Sequence, residues 1–321
     1  MIAAVIPNWN GAKYLPRLLD DLRSQTMTPV EVVVVDNGSS DGSDTAAERA
    51  GARVVRLGRN TGFAHAVNTG IEATSAPLVA VLNNDLELAH DWLATLALAM
   101  EDGVWFATGK LLSARDPTKV DATFDAVSRS CCPWRCGQGR PDGELWNQPR
   151  EIRMAPLTAA LFRRKLFQDV GPLDERFESY LEDTDFGIRC ALAGRTGRYV
   201  PTAVGSHWGS ATLGVWQSET VRLLSRNQVF LAAKHYAMNW TIAAAWRVLA
   251  GQLLWGLVSL RHRAFGAYIR GKWEGLRRAP EFGAPDPRIG WLLAESEGLI
   301  HEFQRASGYD TYWRLYFALA W

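Results

Sequence analysis

The sequence lacks a G-x-G-x-x-G turn behind its first apolar run, and G-x-x-x-x-G-K-[ST] occurs nowhere in it. Dinucleotide Rossmann domains and P-loop NTPases cradle phosphates on such loops, so both are excluded. Cysteine is scarce, with Cys131, Cys132, Cys136 and Cys190 the only four in 321 residues. A chain this long needs no disulfide staples, and a reducing compartment is expected. Charge of one sign is not in excess: 35 Lys and Arg face 34 Asp and Glu, a net of +1. That balance excludes a wholly basic binder, and nucleic acid is not an expected partner. Internal repeats and low-complexity tracts are also missing. The opening residues MIAAVIPNWNG carry no basic region and no long apolar run. No signal peptide is therefore expected, and a cytoplasmic location is. What remains is globular composition, 47% hydrophobic and 21% charged, enough for a large core.

The charge is unevenly spread. Residues 1–221 carry a net −5, residues 222–278 a net +9, and residues 279–321 a net −3. Inside the basic block, residues 241–260 (TIAAAWRVLAGQLLWGLVSL) form a 20-residue stretch with one charge, Arg247. It is long enough to cross a bilayer. A central arginine is costly there, however, so a buried or interface-lying helix is expected instead. The basic, aromatic stretch RHRAFGAYIRGKWEGLRR follows, and Arg270, Lys272, Arg277 and Arg278 are its candidate contacts with anionic lipid. Peripheral membrane contact through 240–278 is one expectation, and a homodimer that buries the apolar helices is the other.

Apolar β-branched runs at 3–7, 31–35, 53–57 and 78–82 alternate with helical spacing at 14–25, 45–50 and 62–73. That alternation predicts an α/β fold with a mostly parallel sheet covered on both faces. Ligands of such sheets lie beyond the carboxyl ends of the strands. Three polar clusters fall there, at 8–11, 36–41 and 83–85. The segment 113–150 reads as a large irregular loop. Its CCPWRC cluster lacks paired C-x-x-C spacing, so loop thiols are expected rather than a zinc site.

Four constellations carry chemistry. Asp36 leaves a buried strand on VVVVDNGSSDGSD, where a carboxylate can take a ribose or base N–H, or cap the next helix. In LNNDLEL, Asn83 and Asp85 offer two oxygen ligands to Mg²⁺ or Mn²⁺, or a plain polar turn. In SYLEDTDFGIRC, the carboxylates Glu182, Asp183 and Asp185 crowd a helix start, which suits a general base or the macrodipole. His207 in VGSHWGSAT follows a strand and is a metal ligand or an ordinary histidine.

The order of these motifs adds more than any one of them. VIPNWNGAKYL, VVVVDNGSSDGS, GRNTGFAHAVNTGI, LNNDLEL, LFRRKLFQDVGPLDERFESYLEDTDFGIRCALAG, YVPTAVGSHWGSAT and SRNQVFL occur in that sequence from residue 1 to about 227. The chain thereby resembles inverting family 2 glycosyltransferases of the GT-A fold, in the style of rhamnosyltransferases and galactofuranosyltransferases that build bacterial surface glycans. The resemblance implies a GT-A catalytic domain over 1–221, with a nucleotide-sugar half at about 1–110 and an acceptor half at about 111–221. A helical, partly basic and amphipathic region would follow over 222–321.

The resemblance also implies roles. Pro7, Asn8 and Asp36 would hold base and ribose, and Arg59, Asn60, Gly62 and Asn68 would line the sugar nucleotide. Asn83-Asn84-Asp85 fills the D-x-D position with an amide in place of the first acid. Asp85 is then the main ligand of a divalent cation, with Asn84 near the ribose or metal and His207 touching metal or pyrophosphate. Asp183 would be the base, with Glu182 or Asp185 orienting it. The donor would be dTDP-rhamnose, UDP-galactofuranose or a UDP-hexose, and the acceptor a glycan or a polyprenyl-diphosphate-linked glycan. A nucleotidyltransferase would instead show a Gly-rich pyrophosphate loop, of which NWNGAKYL is a poor version. A non-catalytic sugar-binding scaffold would have shed the carboxylates that this chain keeps.

Overall fold

The computed structural model describes residues 1–209, 216–236, 242–283 and 286–320. The chain forms two compact units, Met1–Phe124 with Gly137–Thr212, and Asp125–Cys136 with Leu213–Trp321.

The first unit opens with alternating strands and helices: β1 (Ile2–Asn8), α1 (Leu15–Arg23), β2 (Glu31–Asp36), α2 (Ser43–Arg49), β3 (Arg53–Arg56), α3 (Phe63–Glu72) and β4 (Leu78–Leu82). It continues through β5 (Leu86–Leu88), α4 (Trp92–Leu98), β6 (Val104–Ser113) and β7 (Asp116–Ala122). After the hairpin β8 (Asp125–Val127) and β9 (Pro133–Arg135), which belongs to the second unit, come β10 (Arg150–Ile152), β11 (Ala159–Arg163), α5 (Arg164–Asp169), α6 (Glu182–Leu192) and β12 (Thr196–His207).

The sheet order is β10-β12-β6-β11-β4-β1-β2-β3. The half β4-β1-β2-β3 is parallel, as the alternating pattern predicts. β11 enters antiparallel between β4 and β6, and β12 then runs parallel to β6, so the whole is mixed. Every residue of β1 is buried, which is why its run is apolar without alternation. α1 buries Leu15, Leu18, Leu19 and Leu22 on one face against this sheet, the stripe its spacing predicts. Segment 113–150 departs from expectation. β7, β8, β9 and a 3₁₀ turn at Glu144–Trp146 occupy it. Short strands amid Arg, Pro and Gly give no period-2 signal strong enough to read.

In the second unit, the hairpin pairs Asp125 with Arg135 and Val127 with Pro133. The same unit holds α7 (Ser218–His235), α8 (Ile242–Arg261), α9 (Phe265–Arg278), α10 (Ile289–Ser307) and α11 (Thr311–Ala320). Val127 N–H donates to Ser296 Oγ at 2.7 Å and Arg129 N–H to Glu297 Oε2 at 2.8 Å. Gln252 Nε2 donates to Ser130 O at 2.6 Å. Cys131, Cys132 and Cys136 are buried here and form no disulfide. Of the segment 240–278, residues 240 and 241 lie outside the described residues. No helix among the described residues is long and apolar enough to cross a membrane.

Candidate functional site

Four strand ends converge on polar side chains. Asn8, the last residue of β1, is 1% exposed and acts as a junction. Its Nδ2 donates to Ser43 Oγ at 2.9 Å, Ser39 Oγ at 3.3 Å and Asp36 Oδ1 at 3.4 Å. Its Oδ1 accepts from Asn84 Nδ2 at 2.8 Å. Three of the expected positions, Asn8, Asp36 and Asn84, are thus joined. The chain can turn beside them only because residue 11 is glycine. A Cβ there would stand 2.2 Å from Asn8 Oδ1 and 2.4 Å from Asn84 Nδ2. Asp36 ends β2 and accepts from Gly38 N–H and Ser39 N–H, both at 3.2 Å. Pro7 is buried within the β1–β2 ladder opposite Val35.

Asp85 follows β4 by three residues, and His207 is the last residue of β12. His207 Nε2 lies 3.1 Å from Asp85 Oδ1, and its Nδ1 lies 2.7 Å from Asp121 Oδ2 on β7. The contact to Asp121 is a hydrogen bond. The approach to Asp85 lacks hydrogen-bond alignment and leaves buried Nε2 without a donor or acceptor partner, so it is a charge contact. Burial disfavours a charged imidazole, yet Asp121 and Asp85 together outweigh it and push the His207 pKa up to about 9. Asn83 Oδ1 is likewise buried without a hydrogen-bond partner. The end of the histidine motif, residues 210–212, lies outside the described residues.

A second cluster surrounds residues 59–63. Asn37 Oδ1 accepts from Thr61 N–H at 2.8 Å, and its Nδ2 donates to Gly62 O at 3.0 Å and Asn60 Oδ1 at 3.2 Å. Arg59 is exposed, with its backbone packed over Gly38. Gly62 has φ +90°, and a Cβ there would meet the Glu178 carbonyl oxygen at 2.8 Å. Ala64 N–H donates to that oxygen at 2.9 Å, and Phe63 N–H donates to Ser179 Oγ at 3.1 Å. Asn68 lies one turn on. Its amide bonds Leu173 N–H at 2.9 Å, and Leu173 O and Glu175 Oε1 at 3.0 Å each. This asparagine braces α3 against the segment leading to α6.

That segment delivers the acidic motif. Glu178, Tyr180 and Leu181 all have positive φ although none is glycine, and each such residue costs roughly 1–2 kcal/mol. The three carboxylates then diverge. Asp185 is fully buried, and its Oδ2 holds Arg189 Nε at 3.0 Å. Arg189 in turn donates to the carbonyls of Val170, Gly171 and Pro172. Glu182 is 5% exposed. Asp183 is half-buried, and its Oδ1 accepts from Thr184 N–H at 2.7 Å.

Sequence reasoning passed over Asn37 and Asp121. Asn37 was findable as the neighbour of Asp36 on the same strand-ending turn. Asp121 sits in a stretch expected to be irregular, and only its approach to His207 marks it. Asp85, His207 and Asp121 suit a divalent cation in one specific way. A ligating histidine turns one ring nitrogen to the ion and its other to a carboxylate, and here Nδ1 is on Asp121 while Nε2, beside Asp85 without a hydrogen-bond partner, would give up its proton to take the ion. Among the described residues no group of three or more His, Cys, Asp or Glu is arranged to hold a metal ion by itself. A cation bound here would complete its shell with water and phosphate oxygens, as Mg²⁺ commonly does.

A half-parallel α/β sheet with polar residues and a carboxylate–histidine pair at its strand ends defines a GT-A glycosyltransferase fold. A mannosyltransferase of Pyrobaculum calidifontis, solved with GDP-Man and Mn²⁺, shares that fold. It gives a TM-score of 0.54 at 18% identity over 99% of this chain and 86% of its own. GalNAc-T7, solved with UDP, GalNAc and Mn²⁺, gives 0.60 at 15% identity over 87% and 57%. The glycosyl transferase family 2 profile matches residues 3–171, and the chain belongs to that family. The N-acetylglucosaminyl-diphospho-decaprenol L-rhamnosyltransferase of Mycobacterium tuberculosis is 27% identical, covering 75% of this chain and 89% of its own. A pre-mycofactocin glycosyltransferase of the same species is 28% identical over 67% of this chain and 44% of its own.

Proposed function

We propose that this chain transfers a sugar, with inversion, from a nucleoside diphosphate donor to a hydroxyl of a polyprenyl-diphosphate-linked glycan. The work would serve cell-envelope polysaccharide assembly at the cytoplasmic face of the membrane. The similarity to the decaprenol-linked rhamnosyltransferase over most of that enzyme supports this acceptor class and favours dTDP-rhamnose as donor. UDP-galactofuranose and UDP-hexoses are the competing donors. Residues 1–221 would be the catalytic part and 222–321 a helical extension.

The observation that carries the reading is the line Asp85–His207–Asp121 at the carboxyl ends of the strands. Asp85 and His207 would hold a divalent cation, with Asp121 fixing the histidine ring. Such an ion supplies charge neutralisation for a diphosphate leaving group. Asn8, Asp36 and Asn84 form one hydrogen-bonded wall for the base and ribose. Arg59, exposed beside Gly38, is available to the donor. Asn60 and Gly62 shape that wall through Asn37, Asn68 braces it, and Pro7 contributes backbone only.

Asp183 is the general base. It is the carboxylate of the acidic motif that keeps exposed surface, whereas Asp185 is spent on Arg189. It accepts the proton of the acceptor hydroxyl as that oxygen bonds the anomeric carbon. The bond from that carbon to the diphosphate breaks in the same step, and the nucleoside diphosphate departs. One in-line displacement inverts the centre and needs no enzyme nucleophile. Glu182 stands beside it as the orienting carboxylate.

The test offers the purified protein, with Mn²⁺, polyprenyl-diphospho-N-acetylglucosamine and each of the three donor classes in turn. A lipid-extractable product of inverted anomeric configuration from one donor is expected. Retention of configuration, or no transfer from any sugar nucleotide, would overturn the reading.

A further inference from the structure

The second unit leaves two apolar stripes uncovered. On α8, Leu249, Leu253, Leu257 and Leu260 are each between 50% and 61% exposed. On α9, Phe265, Ile269, Trp273 and Leu276 are between 41% and 63% exposed. Spacings of three and four residues keep each set on one helix face. The two helices meet elsewhere: Tyr268 OH donates to Gln252 O at 3.0 Å, and Gly256 faces the Tyr268 ring. Eight large apolar side chains in two rows, one on each of two touching helices, exceed the scattered exposure normal for a soluble surface.

Charge identifies the occupant. Arg261, Arg263, Arg270 and Arg277 are exposed on the same helices and their connection. The one acid within residues 242–278, Glu274, is engaged by Arg222 and Arg226. Lys272 is not part of this cationic set, contrary to the sequence reading. Its stem is half-buried, and its ammonium donates to Ser225 O at 3.0 Å, Gln228 Oε1 at 2.7 Å and Gln252 Oε1. Arg278 is bridged to Glu281 at 2.9 Å. A second copy docked by two-fold symmetry would set these arginine rows against themselves. An anionic lipid surface would meet them with phosphates while its acyl boundary takes the leucines and Trp273.

We infer that α8 and α9 form a face that lies on an anionic lipid surface, with the apolar rows entering the interface and the arginines snorkelling to the headgroups. The inference rests on the proposed function only in that a lipid-linked acceptor brings the protein to a membrane. Vesicle binding is measured without turnover, so its failure and the failure of the transferase reading are separate results.

The experiment is flotation of the full chain with phosphatidylglycerol–phosphatidylcholine vesicles and with phosphatidylcholine alone. The protein should float with the anionic vesicles and be released by salt. Arg270→Gln with Arg277→Gln should lower the partition coefficient about thirtyfold, since two cations near an anionic surface are removed. Leu257→Glu with Trp273→Glu should abolish flotation, and unchanged melting of both variants shows that the exposed changes leave the fold intact. Wild-type protein that stays unbound at low ionic strength would overturn the inference. So would a concentration-dependent dimer that Leu257→Glu dissolves while vesicles are ignored.

Discussion

Asp183 and Asp185 are chemically identical and two residues apart, yet their surroundings commit them to different work. The buried one neutralises Arg189 and ties three carbonyls through it. The half-buried one keeps exposed surface at the helix start and accepts from Thr184 N–H. Asp183→Asn keeps size and hydrogen bonding but cannot take a proton. It should cut kcat about a hundredfold or more, while Kd for the nucleoside diphosphate, read by titration calorimetry, stays within a factor of a few. At the metal-type pair, Asp85→Ala should remove most of the Mn²⁺-dependent part of that Kd. Asp121→Asn touches no proposed ligand atom of the ion and should still weaken Mn²⁺ binding about ten- to a hundredfold, the usual effect of losing the carboxylate behind a ligating histidine. Equal Mn²⁺ affinity in wild type and Asp121→Asn would show that His207 is not a ligand.

At the scale of elements, the loop before α3 and the strained turn before α6 are built on one another. Gly62 is the pivot, since its positive φ and the 2.8 Å approach to the Glu178 backbone both exclude a side chain. Gly62→Ala should cost roughly 1–3 kcal/mol of stability, the scale of a forced backbone strain. Because the turn it displaces leads into Asp183, kcat should fall with it, and a melting curve run beside a transfer assay reads both. This is also where legibility in the sequence ended. The parallel half of the sheet was readable because β1, β2 and β4 are unbroken apolar runs that stop at polar residues. The positions of Asn8, Asp36 and Asn84 at strand ends followed from the same boundaries. The partnership of Gly62 with Glu178 was not readable, because 116 residues separate them and neither carries periodicity. Asp121 was hidden for a related reason: β7 opens with exposed Pro117, Thr118 and Lys119, which look like loop until His207 is placed beside Asp121.

For the molecule as a whole, the C-terminal unit hides a cation among neutral groups. Burial is the largest influence on Lys272 and pulls its pKa down to about 8, against smaller opposing effects of Cys132 and Cys131. The folded state therefore gives up this proton more readily than the unfolded chain, whose lysine holds it to an ordinary lysine pKa. Below about pH 8 both states are charged there and folding bears the burial in full. As pH rises from about 8 towards 10, the unfolded state binds more protons than the folded one, and stability gains. The wild-type minus Lys272→Met difference in unfolding free energy, from urea titrations, should thus climb by about 1.4 kcal/mol per pH unit in that window. A flat difference would show that the ammonium is solvated.

The hairpin β8–β9 bears on how this chain acquires its structure over time. It is made early, but Ser296, Glu297 and Gln252, which satisfy its backbone, arrive more than a hundred residues later in synthesis. Until then Cys131, Cys132 and Trp134 have no apolar enclosure. During synthesis, then, the hairpin thiols are expected to stay open to thiol chemistry until α8 and α10 emerge, which thiol labelling of stalled nascent chains would read.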